Sequence, residues 1–189
     1  MGEYKFKSAK TSATSDQPDE TVCAGQALGF PLQASLGFLP IENLTLDVFR
    51  CVCDVYATAS AQAWEFAVKF AEKQLGPVDG PLFVARVTAF LRALRKERRV
   101  GFSYLSPGCQ HVSPDELTVT GLLKAARNGD RSALERGLAL TLDDAEATDS
   151  TRIAVQWLAE AQLPHVPPTE HDSAQSEFDK QTVQAIYLH

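Results

Sequence analysis

Apolar positions recur at alternating spacings of three and four between Leu44 and Leu75: Phe49, Val52, Tyr56, Ala59, Ala63, Phe66 and Phe70. That period lays them on one stripe and predicts a single helix of about nine turns. Gly76 and Pro77 end it. The alanines Ala57, Ala59, Ala61 and Ala63 leave room in its middle for a second helix to come close. A shorter stripe, Phe83, Val87, Phe90, Leu91 and Leu94, predicts a helix over 81–97 with Pro81 in its first turn. The brief connection at 76–80 predicts an antiparallel helical hairpin.

Residues 101–112 carry no helical period. Phe102, Tyr104 and Leu105 allow a short strand there, while Pro107-Gly108 favours a turn. Ser113-Pro114-Asp115-Glu116 then marks a helix start, with Ser113 as cap and Glu116 completing a capping box. Leu117, Leu122, Leu123 and Ala126 follow, up to a stop at Asn128-Gly129. Asp130 caps a helix through Leu134, Leu138 and Leu142. A further helix runs from Asp149 to Ala161 with Ile153, Val155, Trp157 and Leu158, and a weak one over 174–187 carries Phe178, Val183, Ile186 and Tyr187. The sum predicts an all-α fold, a bundle of about five helices within a domain at 41–162.

The ends read differently. Residues 1–20 are polar without apolar period and predict a flexible tail, and 163–189 form a polar C-terminal tail. Between tail and bundle, 21–40 is an extended apolar arm broken by glycine and proline. Leu28, Phe30, Leu32, Leu36, Phe38 and Leu39 need burial there, either on the bundle or on a partner.

Composition narrows the partners. The 189 residues are 44% hydrophobic and 22% charged, with net charge −6. An acidic chain is repelled by phosphate backbones and anionic lipid unless its positive charge is concentrated. Thr21 to Ile41 is uncharged, but Gly25, Gly29, Gly37, Pro31 and Pro40 argue against a membrane span. The first 20 residues lack the apolar core of a secretory signal, and Phe6 stands where a myristoylation signal needs Ser or Thr. The expectation is a cytoplasmic protein whose four cysteines, Cys23, Cys51, Cys53 and Cys109, are not a disulfide framework.

Three groups carry candidate chemistry. Cys109 and His111 pair a thiolate with an imidazole, both ligands for zinc. Cys51 and Cys53 are the further ligands on offer, although two positions on a helix differ by about 200° and cannot both face one ion. Cys109 also lies just before a capped helix, where a thiolate is favoured, yet no base and orienting group accompany it. Second, Arg92, Arg95, Lys96, Arg98 and Arg99 crowd one helix end. They suit an acidic partner or nucleic acid, or simply complement the helix dipole. Third, Asp143, Asp144 and Glu146 form an acidic cluster with Asp149, without the spacing or glycine of an EF-hand. Nucleotide-binding, serine-hydrolase and metalloprotease motifs are absent.

The expected function is therefore a non-catalytic interaction or regulatory (adaptor) protein without a cofactor. It would dock through the basic helix end and through Phe30, Leu36 and Phe38 of the arm. Its partner would be another protein, acidic in character, or a second copy of the chain. The alternative is a thiol- or metal-dependent protein centred on Cys109 and His111 with zinc as cofactor. A third reading is nucleic-acid contact through 92–99.

Overall fold

The computed structural model describes residues 23–163. The tail 1–20 and the helix predicted over 174–187 lie outside the described residues. The helices are α1 (Ala24–Ala27), α2 (Pro40–Thr58), α3 (Ala61–Glu97), α4 (Pro114–Arg127), α5 (Arg131–Thr141) and α6 (Asp149–Ala159). The all-α expectation matches this architecture, and no strand occurs among the described residues. None of their helices is long and apolar enough to cross a membrane.

The helix predicted over 44–75 is two helices. α2 starts at Pro40, whose missing N–H costs nothing at the first helical position. The Glu42 carboxylate accepts the Leu39 N–H at 2.8 Å and so serves the first turn. α2 ends where Ala59 turns left-handed (φ 57°), and Ser60 caps α3 by accepting the Ala63 N–H at 3.2 Å. The break resets the phase of the stripe. In the first part of α3 the buried face is Ala63, Ala67, Ala71 and Leu75, while Trp64, Phe66 and Phe70 are exposed. Small side chains on that face let the helix approach its neighbours closely, leaving no room for the rings. Phe66 and Phe70 stack on each other instead, with centroids 6.3 Å apart.

The connector predicted over 76–80 shrinks to one residue. Only Gly76 leaves helical geometry (φ 84°, ψ 174°), and Pro77 opens the second arm of α3. The chain turns back so sharply that a Cβ on Gly80 would lie 2.7 Å from the backbone of Glu72. α3 then packs on α2 and α6, and α4 packs on α5, α6 and α2. Phe49, Phe83, Phe90, Leu122, Leu138 and Leu158 fill the space between them.

The later signals are where the sequence predicts them. Ser113 Oγ accepts the Glu116 N–H at 3.2 Å, and Glu116 returns by accepting the Ser113 N–H at 2.8 Å. Asp130 caps α5 through the Ala133 N–H at 2.9 Å. Gly129 takes the positive φ that stops α4. Pro107-Gly108 forms a turn, and the short strand allowed at 102–105 is absent. The arm is less extended than expected, since it folds into α1 and a 3-10 turn at Gln33–Leu36 before reaching α2.

Candidate functional site

The segment from Arg98 to Ser113 joins α3 to α4 without regular structure, yet Phe102, Tyr104, Leu105 and Val112 are buried. A chain with no helical ladder needs partners for its polar backbone. Arg50 on α2 and Glu116 on α4 supply them. Both side chains are fully buried and form a two-pronged pair, Nε–Oε1 2.7 Å and Nη2–Oε2 2.9 Å. Arg50 also donates to the Cys109 carbonyl at 2.5 Å and to the His111 carbonyl. Glu116 additionally accepts the N–H of Leu105 at 2.9 Å and that of Ser113. A buried charge pair is tolerable only when its remaining donors and acceptors are used, and here the loop backbone uses them.

The loop so held becomes the seat for the arm. The Gln33 N–H donates to the Gln110 carbonyl at 2.7 Å, and the Val112 N–H donates to the Pro31 carbonyl at 2.9 Å. Leu32 and His111 form an isolated antiparallel bridge. Gln33 Nε2 reaches Asn43 Oδ1 on α2 at 2.8 Å. Near the start of the arm Gly25 is buried, and a Cβ there would collide with the His111 side chain.

That close approach brings Cys23 to the loop. Its Sγ lies 3.3 Å from His111 Nδ1 and 3.2 Å from Cys109 Sγ. The Gln26 backbone N–H and the Cys109 thiol hold the Cys23 thiol below its ordinary range. Partial burial pushes the Cys109 thiol up. All three residues are half-buried. Cys109 and His111 thus do come together, as their spacing suggests, but their third companion is Cys23. Cys51 and Cys53 are no part of the group: both are fully buried on α2. Burial pushes the Cys51 thiol up to about 12 and raises Cys53 well above its usual range.

The arm residues divide. Phe30, Leu36 and Phe38 are half-buried, whereas Leu28, Leu32 and Leu39 remain 58%, 47% and 54% exposed. Leu32, Ala34, Gly37 and Phe38 line an open groove of about 490 Å³ together with the amide side chains of Gln33, Asn43 and Gln110.

The basic run is dispersed by the fold. Arg98 is buried, bridges Asp115 at 2.8 Å and Asp143 at 3.3 Å, and lies over the Phe102 ring. Arg95 stacks on Tyr56, 4.2 Å from the ring centroid. Arg92, Lys96 and Arg99 are exposed. Asp143 of the acidic cluster is thus an internal partner, and Asp144 closes the end of α5 by donating its N–H to the Ala139 carbonyl at 2.8 Å.

Comparison with family models, with curated proteins and with solved structures returned no match to this chain.

Proposed function

We propose that the chain is a non-catalytic protein-interaction module whose docking face is the arm. One observation carries this reading. The arm is fastened by its backbone to the Gln110–Val112 segment, yet Leu28, Leu32 and Leu39 face outward from it about half exposed. An arm whose only role was to complete the core would turn its leucines inward, where each buried methylene contributes about 0.8 kcal/mol. The groove beside Leu32 has no charged lining, so the occupant it fits is an uncharged apolar segment of another protein. The exposed Arg92, Lys96 and Arg99 offer an acidic stretch of the same partner a basic contact elsewhere on the surface.

Photo-crosslinking from position 32 in the protein's own cells tests this. The expected result is a discrete adduct with one other protein, lost when Leu28 and Leu39 are both replaced by Asp. An adduct pattern unchanged by that double substitution, or a chain that stays uncrosslinked, overturns the reading.

A further inference from the structure

We propose that Cys23, Cys109 and His111 bind a zinc-class transition-metal ion. This inference is independent of the docking reading, since it rests on donor atoms and not on the exposed leucines.

The donors are of the right kind and at the right separations. Two thiols and an imidazole nitrogen lie within 4.8 Å of one another. Tetrahedral zinc bonds sulfur at about 2.3 Å and imidazole nitrogen at about 2.0–2.1 Å, so neighbouring donors stand about 3.5–3.8 Å apart. The observed 3.2 Å between sulfurs and 3.3 Å from Cys23 Sγ to His111 Nδ1 need open by only a few tenths of an ångström. The ligands come from two segments 88 residues apart at their extremes, so their meeting is a product of the fold and not of local chain geometry.

The site is also built from behind. His111 pairs with Leu32 in a bridge, and Cys109 precedes it by two positions. The chain bends at Gln110 between them, and the fold leaves both side chains within one donor set with Cys23. The carbonyls of both ligands are gripped by the buried Arg50, fixing the backbone from which the side chains project. Gly25 leaves the space through which Cys23 reaches His111. Because the three ligands are half-buried, the fourth position is open to water or to another donor.

Two thiolates and one imidazole favour zinc over the hard cations calcium and magnesium, which take oxygen ligands. In this arrangement the ion is a clasp that closes the arm onto the loop.

The test is titration of the reduced full chain with Co2+, a spectroscopic stand-in for zinc. The expected result is one ion per chain, with thiolate-to-cobalt charge transfer and the intense visible bands of tetrahedral cobalt, displaced by Zn2+. Each of Cys23→Ser, Cys109→Ser and His111→Ala should weaken binding about tenfold or more. Cys51→Ala and Cys53→Ala should leave it unchanged. Failure of the reduced chain to take up Co2+ overturns the proposal, as does uptake that survives joint replacement of Cys23 and Cys109. Alkylation mapping of the wild-type chain supplies a readout without variants: Zn2+ should protect Cys23 and Cys109 together. Equal labelling with and without Zn2+ overturns it equally.

Discussion

The connecting segment at 98–113 is held at two points that could hardly differ more. Inside, Arg50 and Glu116 grip it with full charges from which water is wholly excluded. Outside, Cys23 meets it at Cys109 and His111 through thiols and an imidazole, half open to solvent. At the inner anchor, each side-chain nitrogen of Arg50 and each carboxylate oxygen of Glu116 is bonded within the protein itself. The outer one pairs soft donors with each other while remaining accessible. The under-committed donors of this segment therefore lie at its half-open outer hold, and not where the side chains are most deeply buried.

The largest effect should come from breaking the inner anchor. Arg50→Ala or Glu116→Ala leaves a buried charge without its partner and should cost about 3–5 kcal/mol, measured by urea unfolding. Joint replacement by Met and Leu removes the orphaned charge but leaves the Cys109 and His111 carbonyls and the Leu105 and Ser113 N–H groups without partners, so it should recover little of that loss. If the single variants are as stable as the wild type, the inner anchor is not the scaffold of the loop.

A smaller effect should follow at the outer anchor. Gly25→Ala inserts a methyl against His111 and Leu105, and overpacking of this kind costs about 1–3 kcal/mol. The cost should be local. Hydrogen exchange at the Gln33 and Val112 amides should quicken while the amides of α2 stay protected. Uniform quickening would mean that arm and bundle unfold as one unit.

A second carboxylate, Glu97 at the end of α3, gives the smallest effect and contrasts with Glu116. It accepts the Thr148 N–H at 3.1 Å and the Thr148 hydroxyl at the start of α6. Partial burial opposes its ionisation, but the hydrogen bonds from Thr148 outweigh this and hold its pKa below the usual 4.5. A carboxylate with a lowered folded pKa stabilises above its unfolded pKa, and that contribution is lost as pH falls through the folded value. Glu97→Gln should thus cost about 0.3–1 kcal/mol near neutrality, the usual worth of an anion at a helix start. The gap to wild type should narrow below pH 4.5. A gap constant with pH would show that the charge plays no part.

Much of the fold was legible because its punctuation is local. Ser113 with Glu116, Asp130, and Gly129 act within a few residues of themselves, and each ends or begins a helix where the chain pattern says it does. The break at Ala59–Ser60 was hidden. Alanine carries no turn signal, and the apolar spacing runs through it undisturbed. Phe66 and Phe70 were misplaced for the same reason, because size pointed to the core while the close packing of Ala63, Ala67 and Ala71 keeps the rings outside.

The site was half legible. Cys109 and His111 share a short segment, so their meeting could be suspected. Cys23 could not be, since no feature of an uncharged, glycine-broken stretch says which distant loop it will lie against. Arg98 was equally deceptive: it reads as one of a solvated basic run, and only the fold supplies Asp115 and Asp143.

The separation of 88 residues between Cys23 and His111 has a kinetic consequence. Turns such as the one at Gly76 close over a few residues and are formed early, whereas closing a loop of that length costs entropy before any contact offsets it. The bundle bears a similar cost, since Arg50 and Glu116 stand 66 residues apart, but its buried core offsets it. The arm is held by a few backbone bonds and is expected to settle last. The same ordering runs in reverse on opening, so the arm can leave and return many times within the life of a single folded bundle.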